Sequence, residues 1–324
     1  MPKVSVLVPV YGVEKYIERC ARSLFEQTLD DIEYLFIDDC TPDKSIEILK
    51  WVLDEYPLRK QQVIIHRMEQ NSGQAAVRKW GILNATGEYI IHCDSDDWVD
   101  VTMYEKLYNK AIEEDADMVV CDYYEGNPNN YLRKSQKPIH DSKLLISGFM
   151  NEQVHWNCWC ILIRQTIYSN SINYPSDNMG EDMAMTLQLA YYCQTISYVA
   201  EPLYFYCLNP NSIIRQVTYK QIESKVLQLY NNVKIVSRFY ENHRLSDLYE
   251  QEINRLKFRV LMLLNPNTYN KEGRALWKKL YPELTLWNVL RLSHVTNYQK
   301  VVYTLAALGL YPTFRKIKFI LGHK

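Results

Sequence analysis

The sequence lacks the glycine-rich loops that usually cradle phosphate groups in nucleotide-binding proteins. Neither the G-x-x-x-x-G-K-[ST] loop nor the G-x-G-x-x-G fingerprint occurs in its 324 residues. Any phosphate group that this protein binds therefore needs a different source of positive charge. A bound metal ion is one such source.

Long apolar runs and an excess of charge of either sign are also missing. No window reaches the roughly 18 apolar residues that a membrane-spanning helix needs, the best being residues 301–310. The 37 basic and 38 acidic residues leave a formal net charge of −1, which argues against a general nucleic-acid binder. We therefore expect no nucleic-acid partner.

The eight cysteines lack the spacing of a metal site. Cys158-Trp-Cys160 is too tight for a zinc knuckle, and several other cysteines lie within apolar runs, as buried thiols do. The chain passes from Met1-Pro2-Lys3 directly into a strand-like run, without the apolar region and cleavage site of a signal peptide. We therefore expect reduced thiols and a cytoplasmic location.

The first 125 residues alternate between strand-like and helix-like segments. Short β-branched and aliphatic runs alternate with segments whose apolar residues recur at helical spacing. The predicted strands are Val4–Val10, Ile32–Ile37, Val63–His66, Tyr89–Cys93 and Met118–Cys121. This order predicts an α/β fold in which three layers surround a mainly parallel central sheet with right-handed crossovers.

The pattern changes beyond Asp122, where a polar, irregular stretch extends to His140. A mostly helical region occupies the last third of the chain. We therefore predict one domain over residues 1–215 and a helical C-terminal region over 216–324. The other predicted segments are a strand at Trp156–Ile163, a helix at 182–192, and two strands at Ile196–Val199 and Leu203–Tyr206.

An acidic cluster, Asp94-Ser-Asp-Asp97, follows directly on a predicted buried strand. Open α/β sheets hold ligands at the carboxyl ends of their strands. Side chains alternate along an extended strand end, so Asp94 and Asp96 would share one face, where their charges repel unless a cation lies between them. No Lys or Arg occurs between Lys79 and Lys106 to supply that charge locally. Because hard oxygen ligands favour Mg²⁺ or Mn²⁺, the cluster predicts a divalent ion shared with an anionic substrate.

Two other interpretations of the acidic cluster fit it less well. Asp97 or Asp100 could cap the following helix, but capping needs one carboxylate rather than three. Asp94, Asp96 and Glu105 match positions 1, 3 and 12 of a calcium loop, but Val99 stands where the sharp turn needs glycine.

Three groups of residues follow the first, second and fourth predicted strands: Pro9-Val10-Tyr11, Asp38-Asp39 and Asp94–Asp97. In a parallel sheet these ends lie along one edge. Such an edge could hold a nucleoside diphosphate, with Tyr11 against the base and Asp39 on a base N–H or a ribose hydroxyl. The metal ion would then bind the diphosphate.

Five short motifs occur in order over the first 125 residues. Together they resemble the nucleotide-sugar-binding half of family 2 glycosyltransferases, which have the GT-A fold. Five matches in the right order are far more specific than any one of them. The motifs are Val4-Ser-Val-Leu-Val-Pro-Val-Tyr11, Phe36-Ile-Asp-Asp39, Asn71-Ser-Gly-Gln-Ala-Ala-Val-Arg78-x-x-Gly81, Gly87-Glu-Tyr-Ile90 and Asp94-Ser-Asp-Asp97.

The resemblance implies a GT-A sandwich with a donor half over 1–125 and an acceptor half over 126–215. It implies an inverting transfer of a sugar from a nucleotide donor, commonly UDP-linked, with Mg²⁺ or Mn²⁺. The residues that it assigns are Pro9, Tyr11 and Asp39 to the base and ribose, Arg78 to the neighbourhood of the diphosphate, Asp94 to the ribose, and Asp96 to the metal ion.

The sequence departs from the family pattern in two places. Gly12 stands where the family usually has Asn, and Val77 and Lys79 flank Arg78 where a small residue and Asn are more usual. The Gln-x-x-Arg-Trp signature of the processive synthases does not occur. We therefore expect one sugar to be added per encounter.

A sugar hydroxyl is a poor nucleophile at neutral pH, so the transfer needs a general base. The resemblance assigns this role to Asp182, within Met179-Gly-Glu-Asp-Met183 at the start of a predicted helix. The helix dipole there keeps a carboxylate ionised, and Glu181 forms an acidic pair with it. In the alternative interpretation, Asp182 is only the N-cap of this helix.

Several residues are candidates for the acceptor surface or a mobile loop. Trp156 could contact a sugar ring or belong to the core, whereas Trp159 is predicted to be core. Tyr206 and Ser212 resemble the family's aromatic strand and following Ser, whose loop can close on the donor.

After Glu283 the sequence contains no acidic residue, while basic residues alternate with aromatic and aliphatic ones. This composition suits the surface of an anionic membrane, but it also fits an ordinary pair of terminal helices with a solvated basic face. With the resemblance, it suggests a saccharide or lipid-linked saccharide acceptor in bacterial surface polysaccharide, capsule or lipopolysaccharide assembly. We expect peripheral attachment to the inner face of the cytoplasmic membrane.

Three other functions would share parts of this pattern. A nucleotidyltransferase needs a glycine-rich loop after the first strand, where this chain has Tyr11-Gly-Val-Glu-Lys-Tyr16. A haloacid-type phosphatase carries its Asp-x-Asp after the first strand rather than the fourth. A catalytically silent sugar- or nucleotide-binding scaffold is the alternative from another class, and it predicts loss of the acidic side chains at Asp96 or Asp182.

Overall fold

The computed structural model describes residues 1–127, 130–208, 218–264 and 271–314. Ser212 therefore lies outside the described residues. The chain divides into two compact units, Met1–Ser212 and Ile213–Lys324, and each is described by itself.

The first unit contains a nine-stranded sheet. Its order is β3-β2-β1-β4-β8-β6-β9-β5, with β7 paired to β6. The strands are β1 (Val4–Val10), β2 (Ile32–Asp38), β3 (Val63–Arg67), β4 (Tyr89–His92), β5 (Trp98–Val99), β6 (Met118–Asn127), β7 (Asn130–Lys134), β8 (Ile161–Arg164) and β9 (Ile196–Cys207).

The expected parallel arrangement is confirmed for β1 to β4, and β6 also runs parallel to β9. Strand β8 is inserted antiparallel between β4 and β6. Every residue of β2 is buried, as expected for a central strand covered on both faces by helices. The α-helices described in this unit are α1 (Ile17–Phe25), α2 (Ser45–Asp54), α3 (Gln74–Asn84), α4 (Met103–Glu113), α5 (Ser142–Met150) and α6 (Glu181–Tyr192).

Three local predictions beyond Asp122 were wrong. The stretch from Trp156 to Ile163 is not one strand, because Cys158–Cys160 forms a short 3-10 helix before β8. The stretch up to His140, expected to be irregular, contains β7. The two strands expected on either side of Pro202 are one strand, β9, whose register with β6 shifts at Asp122, and such an irregularity accommodates a proline.

The second unit is helical over its described residues, as expected. Its helices are α7 (Tyr219–Asn242), α8 (Glu250–Leu263), α9 (Lys271–Leu280), α10 (Leu286–Arg291) and α11 (Asn297–Ala307). Thr285 and Thr296 form capping boxes that fix the starts of α10 and α11. Among the helices described in either unit, none has both the length and the apolar character needed to cross a bilayer.

Candidate active site

The carboxyl ends of β1, β2 and β4 meet at one edge of the sheet, because β1 pairs with both β2 and β4. Asp39 N–H donates to the carbonyl of Val10 over 3.0 Å. On the other side, the Ser95 hydroxyl donates to the carbonyl of Pro9 over 2.6 Å. The structure thus brings together the three groups of residues that the sequence placed at this edge.

Residues 94–97 form a hydrogen-bonded turn, with Asp97 N–H donating to the Asp94 carbonyl over 3.0 Å. The sequence predicted an extended strand end here, with side chains alternating so that Asp94 and Asp96 share one face. That prediction was wrong because the backbone turns. The Arg19 guanidinium donates to the carbonyl of Asp96 over 3.1 Å. The backbone of the turn is thus held in place, while the side chains of Asp94 and Asp96 remain partly exposed.

The third carboxylate, Asp97, is fully buried and has a structural role. Its two oxygens accept hydrogen bonds from the Tyr204 hydroxyl and from Cys207 N–H, both over 2.7 Å. The same hydroxyl accepts a hydrogen bond from Asp94 N–H over 3.1 Å. Burial, with the nearby charges of Asp96 and Asp94, raises the pKa of Asp97 well above its usual value. Asp97 therefore ties the acidic turn to β9.

Asp94 has a cationic partner that comes from α3. One Arg78 nitrogen, Nη2, lies 2.7 Å from Asp94 Oδ1, and both side chains are mostly buried. The residues between Lys79 and Lys106 supply no basic side chain, but the fold brings Arg78 to Asp94 from 16 residues earlier in the chain, so the cation beside Asp94 is a guanidinium. Asp96 is the residue that the resemblance assigns to the metal ion, and it is partly exposed.

Arg78 contacts two further groups. Its Nη1 approaches the thiol of Cys158. Its Nε lies 3.6 Å from Glu181 Oε1, so Arg78 links the acidic turn to the start of α6. Burial, and next the charge of Asp182, raise the pKa of Glu181 from 4.5 to about 8, although Arg78 opposes the shift.

Asp182 lies in the first turn of α6 and is partly exposed. The N-cap of the helix is Gly180, in the left-handed conformation with φ +79°, so Asp182 is not the capping residue. Asp182 Oδ1 accepts a hydrogen bond from Met183 N–H over 2.7 Å. The position at the positive end of the helix dipole favours an ionised carboxylate.

Asp39 is buried, and its two oxygens hold the loop that precedes α3. They accept hydrogen bonds from Ser72 N–H over 2.7 Å and from Gly73 N–H over 2.9 Å. The predicted contact with a base or a ribose would therefore be made by a carboxylate that is already fixed in position.

Tyr11 is 51% exposed, as a residue that stacks on a base requires. Gly12 follows it with φ +68°, and its N–H donates to the Thr41 hydroxyl over 2.8 Å. Gly and Asn both populate this left-handed region, so the departure from the family's usual Asn preserves the local conformation.

The two tryptophan candidates differ in burial, and the prediction that Trp159 belongs to the core is confirmed. Trp159 is buried and stacks on Tyr204 at a ring-centroid distance of 4.2 Å and on Tyr206 at 5.7 Å. Burial raises the pKa of Tyr206 to about 12. Trp156 is half-buried, and its carbonyl accepts a hydrogen bond from the Thr186 hydroxyl on α6.

A small cavity lies between α3, β8 and α6, with about 20 Å³ of space for the centre of a water molecule. Arg78 Nε and His92 Nδ1 are buried polar atoms of its lining that have no hydrogen-bond partner within the described part of the chain. The space is sufficient for one water molecule that could bind them. His92 lies inside an apolar strand, where the sequence pattern does not distinguish it from a core residue.

No group of three His, Cys, Asp or Glu side chains that could hold a metal ion by itself exists within residues 1–127, 130–208, 218–264 and 271–314. An ion of the Mg²⁺ type often binds one or two carboxylates together with substrate phosphates and water. The partly exposed Asp96, next to the Arg78-bound Asp94, is a ligand of the required chemistry.

Comparisons with known proteins agree with this geometry. The family model described as glycosyl transferase family 2 matches residues 5–179. Among curated proteins, the chain is similar to the uncharacterized glycosyltransferase EpsJ of Bacillus subtilis, with 31% identity over 78% of this chain and 74% of that protein. It is also similar to the putative glycosyltransferase EpsH of the same organism, with 30% identity over 86% and 81%.

Two solved structures share the fold. Residues 1–349 of S. aureus TarS in complex with UDP superpose with a TM-score of 0.63 at 17% identity, over 99% of this chain and 92% of that chain. The mannosyltransferase PcManGT of Pyrobaculum calidifontis, in complex with GDP-Man and Mn²⁺, superposes with a TM-score of 0.55 at 12% identity, over 95% and 87%. These similarities establish the architecture.

Proposed function

This chain belongs to glycosyl transferase family 2, and we propose that it moves a single sugar, with inversion, from a nucleotide-sugar donor to a hydroxyl group of an acceptor. One observation carries the proposal: Arg78 joins the acidic turn after β4 to the acidic start of α6. With a divalent ion bound, the turn would hold the nucleotide diphosphate. The start of the helix would receive the acceptor hydroxyl. We assign the donor to residues 1–125 and the acceptor to 126–215, with the helical region at 216–324.

The donor is proposed to be a UDP-sugar. The exposed ring of Tyr11 would lie against the base, with Pro9 beside it and Asp39 on a base N–H or a ribose hydroxyl. Asp94 would contact the ribose, and Arg78 would contribute positive charge near the diphosphate. UDP and UDP-GlcNAc occupy solved TarS structures of this fold, which supports a uridine nucleotide here.

A divalent ion, Mn²⁺ or Mg²⁺, would bind at Asp96 and supply positive charge to the leaving nucleotide diphosphate. Residues of the protein would hold the carboxylates around this ion in position. The Arg78 pair holds Asp94 in place, and the buried Asp97 fixes the turn that carries Asp96.

Asp182 is proposed as the general base. It would take the proton of the acceptor hydroxyl while the oxygen attacks the anomeric carbon of the donor sugar. The bond from that carbon to the phosphate oxygen breaks, and the nucleotide diphosphate leaves with the electron pair. A single displacement inverts the anomeric centre. The buried Glu181 is less suited to this role because it already faces Arg78.

The acceptor is proposed to be a saccharide or a lipid-linked saccharide used in assembling a bacterial surface polysaccharide. Trp156 and Tyr206 are candidates to line its site, and Ser212, outside the described residues, is a further candidate that rests on the resemblance alone. One similar protein is named poly(ribitol-phosphate) beta-glucosyltransferase, which supports a cell-surface polymer as the acceptor class.

We propose that the protein works in the cytoplasm at the inner face of the cytoplasmic membrane. Trp287 and Leu290 on α10, and Tyr298 and Val301 on α11, are exposed apolar or aromatic side chains. The Arg291 guanidinium lies 4.4 Å from the centroid of the Trp287 ring. Exposed aromatic groups beside basic ones suit an anionic lipid surface.

The test is a panel of UDP-, GDP- and dTDP-sugars incubated with the purified protein and Mn²⁺ or Mg²⁺. We expect metal-dependent release of UDP from one UDP-sugar. With an acceptor found by screening saccharide alcohols, proton NMR should show a product of inverted anomeric configuration. Binding of UDP without turnover of any donor would instead favour a silent nucleotide-binding scaffold.

A further inference from the structure

Asn178 lies four residues before Asp182, outside α6, and its side chain packs against the loop that precedes α3. Its Oδ1 accepts a hydrogen bond from Ala75 N–H over 3.0 Å. The N–H groups in the first turn of a helix have no partner inside the helix. The N-cap of α3, Gly73, has no side chain to provide one. Asn178 therefore caps α3 from a distant part of the chain.

The fit between Asn178 and Gly73 is close. A Cβ atom at Gly73 would lie 2.4 Å from Asn178 Nδ2, 2.6 Å from its Oδ1 and 2.9 Å from its Cγ. Gly73 also has φ +82°, a conformation that other residues rarely adopt. The amide of Asn178 thus occupies the space that a side chain at position 73 would fill.

The Gly73 loop, residues 71–74, is held from the opposite direction by Asp39, which accepts hydrogen bonds from Ser72 and Gly73. The loop is therefore fixed between a residue proposed to bind the nucleotide and a residue of the segment that leads to the base. From Asn178 the chain turns through Gly180 directly into α6.

We propose that Asn178 is a positioning residue, which docks the segment carrying Asp182 onto the Gly73 loop and so sets the distance between the base and the donor. This inference rests on the proposed function. The Arg78 contact with Glu181 is a second link between the same two regions, but at 3.6 Å it is an ion pair without hydrogen-bond geometry. Asn178 supplies the directional contact.

The first test is Asn178→Ala, measured with the donor that the native protein turns over fastest. Displacement of a catalytic group by about 1 Å can cost about a hundredfold in rate. We expect kcat to fall by about tenfold to a hundredfold, while the Kd of UDP, measured by calorimetry, changes by less than about threefold. Asn178→Asp retains an oxygen that can accept from Ala75 N–H, so it should recover most of the lost kcat.

The matched control is Asn84→Ala, which removes an exposed amide that donates only within its own helix to the Trp80 carbonyl among its described contacts. It should leave kcat unchanged. A purely structural role for Asn178 would lower the unfolding temperature without changing kcat of the folded protein, and that result would overturn the proposal. Failure of Asp182→Asn to reduce turnover would instead refute the assignment of the base itself.

A second test uses Gly73→Ala in two backgrounds. Truncation of Asn178 to Ala removes the three atoms that a Cβ at position 73 would approach most closely. The loss of kcat caused by Gly73→Ala should therefore be smaller in the Asn178→Ala protein than in the native protein. Additive losses would show that the two residues act independently and would contradict the proposal. Thermal denaturation of each variant checks that every kcat value is measured on folded protein.

Discussion

The guanidinium of Arg78 lies 2.7 Å from the carboxylate of Asp94 and 3.6 Å from that of Glu181. Two segments separated by more than 80 residues, the turn after β4 and the start of α6, therefore share one buried cation. The pair of carboxylates, rather than either one alone, explains why a charged side chain lies so deep in the first unit.

Replacement of Arg78 by Met should destabilise the protein by up to about 3–5 kcal/mol, because it removes the buried cation that pairs with the partly exposed Asp94 and faces the buried Glu181. Urea denaturation monitored by circular dichroism measures the change in the free energy of unfolding. Lys106→Met is the matched control, since its ion pair with Glu201 is exposed and should contribute less than about 1 kcal/mol. Equal losses of stability from the two substitutions would show that Arg78 does not join the two segments through a buried ion pair.

The raised pKa of Glu181 predicts how stability depends on pH. Its pKa is 4.5 in an ordinary environment and about 8 in the folded protein, so the folded state binds the proton more tightly. The contribution of this group to stability is present below pH 4.5 and is lost as the pH rises towards about 8. Glu181→Gln removes the titration, so the stability of the variant relative to native should increase between pH 5 and pH 8. A difference that stays constant across this range would contradict the assignment.

Asp96→Asn should reduce donor turnover by at least about a hundredfold at saturating Mn²⁺, because the ion loses its proposed carboxylate ligand. Excess chelator should abolish turnover by the native protein. Asp115→Asn is the control, since that carboxylate lies on the surface, with its side chain 92% exposed. Full activity of the Asp96 variant, or of the native protein in chelator, would refute a metal site at this position.

The double substitution Trp287→Ser and Leu290→Ser should weaken binding to vesicles containing anionic lipid by at least about tenfold. Each apolar side chain of this size contributes about 1.5–3 kcal/mol when it leaves water. Co-sedimentation with vesicles measures the effect. Trp51→Ser, which removes an equally exposed Trp from the first unit, should leave binding unchanged. Undiminished binding by the double variant would show that this surface does not contact lipid.

Local patterns in the sequence were sufficient to predict much of this structure. Strands β1 to β4 are rich in β-branched, aliphatic and aromatic residues, and the residues after β1, β2 and β4 identified the edge where Tyr11, Asp39 and Asp94 lie. The start of α6 followed from its acidic first turn and the preceding glycine.

Contacts between distant segments could not be predicted in the same way. Arg78 reaches Asp94 only because α3 packs on β1 and β2, and β1 lies beside β4 in the sheet, which no spacing in the sequence encodes. The amide of Asn178 capping α3, and the Tyr204 hydroxyl serving both Asp94 and Asp97, are likewise products of tertiary packing. The continuity of β9 through Pro202 depends on an irregular register with β6, which only the paired strands reveal.

The most direct test of the proposed transfer is the turnover of the preferred nucleotide sugar by the Asp182→Asn protein, measured together with the Kd of UDP. We expect kcat to fall on the order of a thousandfold with the Kd of UDP nearly unchanged, because the substitution removes a proton acceptor without changing the shape of the site. Turnover at the native rate by a correctly folded Asp182→Asn protein would contradict the assignment of Asp182 as the base that activates the acceptor.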